Sequence, residues 1–117
     1  MTEIEKYLFA AKAAGIKIFL GPVSSDVYDR DTFYISEDVF FFGVCKSWNP
    51  LIDKANSFAL MIAASITYDA QHGWASARLS SGEYVNIPIN DDPLKAIFEC
   101  AVAIGKSMEE SNVKSSS

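Results

Sequence analysis

At 117 residues, half of them apolar, the chain is sized for one globular domain, so a second domain is not expected within it and a disordered, charge-dominated polymer is excluded. Fifteen acidic against ten basic residues give a formal charge of −5, and Arg30 and Arg78 are the sole guanidinium groups, so direct nucleic-acid binding is disfavoured. No apolar run approaches the ~20 residues of a membrane span, and the opening Thr2-Glu3-Ile4-Glu5 lacks the basic-then-apolar order of a signal peptide. The expected location is cytoplasmic.

Thr2 with Glu5 three residues on has the form of a capping box. Ile4, Tyr7, Leu8 and Ala11 then share a helical face, and the spacing predicts a first helix to about Ala14, closed by Gly15. Ile16 to Leu20 has strand composition and is stopped by Gly21-Pro22. The Ser- and Asp-rich stretch from Val23 to Asp31 reads as a loop. Thr32 to Ile35 and Val39 to Cys45 read as a hairpin turning at Ser36-Glu37-Asp38, its second strand apolar enough to be covered on both faces.

Asn49 or Asp53 can cap a second helix, with Pro50 tolerated where the first amides lack partners. Ala55, Phe58, Ile62 and Ile66 follow helical spacing, and Ala59, Met61, Ala63 and Ala64 widen the apolar face, so a central, buried helix is expected. Ile66 to Tyr68, Trp74 to Leu79 and Tyr84 to Ile89 predict an antiparallel meander, with Val85, Ile87 and Ile89 facing the core and Pro88 at an edge. Asp91-Asp92-Pro93 predicts the start of a third helix with Leu94, Ile97, Phe98, Ala101, Ile104 and Met108 on its apolar face, ending near Met108 or Glu110. Residues 1–110 then form the domain and 111–117 a flexible tail. The expected fold is α+β, an antiparallel sheet of about five to six strands sandwiched between helices in the order α-β-β-β-α-β-β-β-α.

Three stretches in this order carry a resemblance: Ala10-Ala11-Lys12-Ala13-Ala14-Gly15, Trp48-Asn49-Pro50-Leu51-Ile52-Asp53, and Ala96-Ile97-Phe98-Glu99-Cys100-Ala101-Val102. The chain resembles the phage ABA-sandwich domain family of short phage and prophage proteins, which are NinX-like, across nearly its whole length. The resemblance implies helices on a sheet, a phage or prophage origin and action in a bacterial host cytoplasm. It supplies no reaction. Where that family often has further acidic or glycine residues after the aspartate, this chain has Lys54-Ala55-Asn56-Ser57.

The chemistry-bearing residues are few. His72, the single histidine, lies in Gln71-His72-Gly73 and reads as a turn residue rather than a base. Cys45 and Cys100 are too far apart in sequence for a zinc knuckle or redox pair and read as buried thiols. Asp26, Asp29 and Asp31 lack the glycine and distal glutamate of a calcium loop. Asp91 and Asp92 are explained by helix capping. No catalytic constellation, cofactor site or metal site is expected. The candidate partner-binding residues are Asp26, Tyr28, Asp29, Asp31 and Tyr34, where Tyr28, Phe33 and Tyr34 flank an acidic loop, and Trp48 and Trp74, which read first as core or staple packing and second as interface anchors. The functional expectation is a non-catalytic accessory protein that binds a host or phage protein, with an edge strand offering homodimer pairing. The alternative is an inhibitor of a bacterial defence system, anti-CRISPR-like and mimicking nucleic acid. A small metal-dependent hydrolase ranks below both.

Overall fold

The computed structural model describes residues 1–21, 30–39 and 45–115. Three helices and six strands follow in the expected order: α1 (Glu3–Ala14), β1 (Ile18–Leu20), β2 (Phe33–Val39), β3 (Cys45–Ser47), α2 (Lys54–Ala63), β4 (Thr67–Asp69), β5 (Trp74–Arg78), β6 (Tyr84–Pro88) and α3 (Pro93–Ser115). The strands do not form one sheet. They divide into two antiparallel three-stranded sheets, β1-β2-β3 and β4-β5-β6. The α+β class and element order stand, while the single five-to-six-stranded sheet is corrected to two.

Local chemistry sets most of the helix ends. The Thr2 hydroxyl accepts from the Glu5 amide at 3.1 Å while the Glu5 carboxylate accepts from the Thr2 amide at 3.3 Å, completing the capping box. Gly15 takes φ 72°, a left-handed turn that lets its N–H and that of Ile16 reach back to the last carbonyls of α1. Asp53, not Asn49, caps α2, its carboxylate accepting from Ala55 N at 2.9 Å and Asn56 N at 3.1 Å. Asp92 caps α3 ahead of Pro93 by accepting from Lys95 N at 3.1 Å. Asn90 and Asp91 both have positive φ, 43° and 67°, bridged by the Asp92 N–H bond to the Ile89 carbonyl, a tight turn that Asn and Asp tolerate.

Helix α3 is the spine. Ala96, Ile97, Phe98, Cys100, Ala101, Val102 and Ile104 are all buried on it, which is the apolar face expected from the spacing, broadened. It continues to Ser115, past the expected end near Met108 or Glu110, because no proline interrupts that stretch and Gly105 is held by packing. One side of α3 lies on β5 and β6. Ala75 and Ala77 point inward from β5 and are small enough that the Cys100 thiol donates to the Ala75 carbonyl at 3.1 Å. Val85 and Ile87 join this contact from β6, and Pro88 ends the edge strand, as the meander reading requires.

The other side of α3 lies against α1. The ion pairs Lys6–Glu99 at 3.1 Å and Lys12–Glu109 at 3.0 Å advance together along both helices, so the first and last helices run parallel. Between these pairs Gly105 meets the backbone of Phe9. A Cβ at Gly105 would overlap the Phe9 carbonyl, and Ala10, Ala11 and Ala101 keep the rest of the seam thin. The partly exposed ion pairs add little, typically under about 1 kcal/mol each, so close packing carries the junction.

Several expectations are corrected at the surface. On α1, Ile4 and Leu8 are exposed, because the stripe turned to α3 is the alanine one. Helix α2 is peripheral, not central. It buries Ser57 and Leu60, while Phe58 and Ile62 are 60% and 61% exposed. Its sequence is apolar nearly all round, so two stripes satisfy the same spacing and periodicity does not choose between them. Ile66 is buried, but beyond the helix, after a turn at Ser65 with φ 56°. The expected hairpin turn at Ser36-Glu37-Asp38 falls inside β2, and Val39 ends that strand rather than starting the next. The apolar run's Phe40 to Val44 lies outside the described residues, as does most of the Val23–Asp31 loop.

Gly105→Ala is predicted to destabilise the protein by roughly 1–3 kcal/mol despite the better helix propensity of alanine, worth about 1 kcal/mol, because the added methyl forces α1 and α3 apart. Urea unfolding of the variant measures this; a midpoint at or above that of the parent chain contradicts the packing.

Candidate functional site

Where the N-terminal end of α1 meets the β1–β2 pair and the Trp48 turn, the described surface holds a cleft of about 240 Å³. Its walls come from three segments: Glu3, Ile4 and Tyr7 of α1; Leu20 with Asp31, Thr32 and Phe33; and Trp48 with Asn49. Antiparallel pairing sets Leu20 opposite Phe33, which places both on one face of the sheet. That face looks towards α1.

Tyr7 is the centre of this corner. Its ring stacks on Phe33 at 5.0 Å and 22°, lies 5.0 Å from Phe98 of α3, and meets Trp48 edge-on at 6.2 Å. Its hydroxyl donates to Asn49 Oδ1 at 3.0 Å, and the same oxygen accepts from Leu51 N at 3.2 Å. The Asn49 N–H in turn donates to Asn56 Oδ1 at 2.9 Å, joining the Trp48 turn to α2. Burial, and then the nearby Glu3 charge, raise the Tyr7 phenol above its ordinary pKa, so it stays a neutral donor.

The cleft is amphipathic. Its floor is aromatic, with Phe33 and Trp48 buried, and its rim carries exposed Ile4 and Leu20 beside the carboxylates of Glu3 and Asp31. Among the described residues, neither carboxylate has an ion-pair partner, whereas Lys6 and Lys12 of the same helix are engaged by Glu99 and Glu109 of α3.

The sequence-derived candidates are divided by the fold. Asp31 and Trp48 come together in the cleft, with Phe33 between them. Trp48 is 3% exposed, so it serves as floor rather than as a projecting anchor. Tyr34, next to Phe33, points to the opposite side of β2, where its ring stacks on Phe19 at 5.6 Å. Trp74 belongs to the other sheet, opposite Asp69 and Pro88. Asp26, Tyr28 and Asp29 lie outside the described residues. Glu3, Tyr7, Leu20 and Asn49 escaped the sequence reading because each already had a local explanation as helix start, core stripe, strand end or cap. The one signal was a phenol at Tyr7, a polar-tipped aromatic on a face otherwise read as apolar.

Two further surfaces lie away from the cleft. Ile52, Phe58 and Ile62 form an exposed apolar face on and before α2, beside a shallow apolar hollow of about 180 Å³ lined by Met61, Tyr68, Leu94 and Ile97. The Ser57 hydroxyl, buried under that hollow, has no hydrogen-bond partner among the described residues. At the β4–β5 turn, His72 Nδ1 lies 2.7 Å from Asp69 Oδ2, and the His72 ring and amide hold the Asp69 carboxyl below its usual range. Both groups are well exposed, which matches a turn-stabilising pair. Among the described residues no group of three or more His, Cys, Asp or Glu could hold a metal ion, and no helix is long and apolar enough to cross a membrane.

The thiols differ. Cys45 is half-buried, not buried as expected, with its sulfur 3.9 Å from the Ser36 carbonyl of β2. Cys100 is fully buried, and burial, reinforced by the Glu99 charge, pushes its pKa from 9.0 up to about 11. Below pH 9.0 the thiol is protonated in both the folded and unfolded chain. As pH rises from 9.0 towards about 11 the unfolded chain ionises first, so this group's contribution to stability is lost across that window. Native-state alkylation with iodoacetamide followed by peptide mapping is predicted to mark Cys45 and spare Cys100, and Cys100→Ala is predicted to flatten the fall of the urea midpoint between pH 9 and 11. Equal labelling of both thiols, or an unchanged pH slope, contradicts this assignment.

Against known proteins, no family model matches the chain, and neither a curated protein nor a solved structure does.

Proposed function

We propose that the chain works by binding a protein partner with a basic surface, and that the cleft between α1 and the first sheet is its contact. The observation that carries this reading is the pair of carboxylates, Glu3 and Asp31, set without ion-pair partners among the described residues on the rim of an aromatic-floored cleft. Interfaces concentrate their binding energy in aromatic pockets whose rims exclude water, and charge on a rim speeds encounter and selects partners of opposite sign. A net charge of −5 acts in the same direction over longer range.

The action is that of an accessory protein and is non-catalytic. His72 fits this reading as a turn residue: among the described residues its ring pairs with Asp69 on an exposed turn of the second sheet. The phage-family resemblance sets the partner among host or phage proteins in a bacterial cytoplasm. Interference with a defence system, as in anti-CRISPR inhibitors, is one form that such binding would take.

Capture on immobilised protein from phage-infected and uninfected bacterial lysates is predicted to recover a basic partner in stoichiometric amount. Retention should fall in about 1 M salt, where the screening length shrinks to ~3 Å, and should fall in the Glu3→Gln/Asp31→Asn variant at low salt. A partner held equally by that variant rejects the cleft as the contact, and the lack of any enriched partner rejects the binding reading.

A further inference from the structure

Building on that reading, we infer that the α1–β2 cleft receives one lysine or arginine side chain of the partner, its methylene stem against Ile4 and Leu20 and its cationic end at Glu3 and Asp31. The size of the cleft points to a single side chain. At about 240 Å³ it falls below the ~300–1,000 Å³ typical of sites for drug-sized molecules. Its lining is graded in the way an amphipathic cation requires, with apolar carbon at Ile4, Leu20, Phe33 and Trp48 and charge confined to the rim.

Electrostatics select the sign. Glu3 and Asp31 face the cleft unpaired among the described residues, and Asn49 Oδ1 there already accepts from the Tyr7 hydroxyl and the Leu51 amide. An anion entering would meet two like charges. A neutral alkyl group would fill the apolar part and leave those charges uncompensated. A cation on a short stem satisfies both regions, its methylenes against the apolar carbon and its charge at the two carboxylates.

The Tyr7 hydrogen bond to Asn49 ties α1 to the Trp48 turn, and the Tyr7–Phe33 stack ties α1 to the sheet. The walls are thus fixed before the ligand arrives, which lowers the ordering cost of binding.

The test uses small probes on the whole chain: n-butylammonium, n-butylguanidinium and neutral n-butylurea, titrated while amide and indole shifts are followed by NMR. Both cations are predicted to bind saturably with Kd of about 20 mM or tighter, as expected for a ligand of this size. The shifts should centre on Tyr7, Phe33 and Trp48, and butylurea should not saturate. Glu3→Gln/Asp31→Asn is predicted to weaken cation binding at least about fivefold. Asp31→Asn alone, a near-isosteric change at an exposed side chain, should weaken it about twofold and guards against a folding defect in the double variant. Saturation by one cation and not the other assigns the partner's residue as lysine or arginine. Shifts that never saturate, that butylurea reproduces, or that survive in the variants overturn the inference. If the probes fail while capture still yields a basic partner sensitive to Glu3→Gln/Asp31→Asn, the binding reading stands and the side-chain receptor falls.

Discussion

Close approach of two helix backbones is the constraint on which the remaining structure depends. At Gly105 there is no room for a single methyl group, because the Phe9 carbonyl occupies the space that a Cβ would take. Alanines at positions 10, 11 and 101 extend this thin seam, so the first and last helices pack as a parallel pair although nearly the whole chain separates them in sequence. Close packing of small residues gains dispersion contacts over many atom pairs, and the same closeness makes the seam intolerant of added volume. Once α1 is set on α3, every other element has a defined place. The β4–β6 meander covers one flank of α3 through Ala75 and Ala77, and α2 closes against α3 through Ser57 and Leu60.

The first sheet is held differently. Its backbone keeps a distance from the helices, and large side chains fill the gap: Tyr7 from α1, Phe33 from β2, Trp48 after β3 and Phe98 from α3. Aromatic rings bridge such a gap well, since each carries a large apolar area and edge-to-face or stacked geometry adds about 0.5–1.5 kcal/mol per pair. A cleft follows naturally from this arrangement, because rings packed at one end of α1 leave the rim residues Ile4 and Leu20 splayed apart. Structure and proposed function therefore share a residue: Tyr7 both cements the sheet to the helices and forms part of the wall of the proposed contact.

Most of the local architecture was legible in the sequence, because it is written in short-range chemistry. Thr2 with Glu5, Gly15, Asp92 with Pro93 and the β4–β6 meander each depend on residues within a few positions of one another. What misled was the degenerate pattern of α2. Phe58 and Ile62 fit a buried stripe as well as Leu60 and Met61 do, and the choice was made by α3, which no local window contains. Ser36-Glu37-Asp38 has turn composition, yet β2 runs through it, paired with β3 on either side at Tyr34–Ser47 and Val39–Cys45 with an irregularity between. The division into two sheets is likewise non-local. Of the candidate site, Asp31 and Trp48 were legible as a carboxylate and an aromatic, while Glu3 and Tyr7 were absorbed into the reading of α1 as a simple packed helix.

Tyr7 joins the first sheet to the helical pair, and hydrogen exchange of Tyr7→Ala measures that directly. The Trp48 amide, which donates to the Phe33 carbonyl at 2.8 Å, and the Gly21 amide, which donates to Thr32 at 3.1 Å, report on the first sheet. The Leu79 amide, bonded to the Glu83 carbonyl at 2.7 Å, reports on the second. Tyr7→Ala is predicted to lower protection at Trp48 and Gly21 by at least about tenfold more than at Leu79, as local opening of one unit does. Equal loss at all three amides, or none at Trp48, would contradict it.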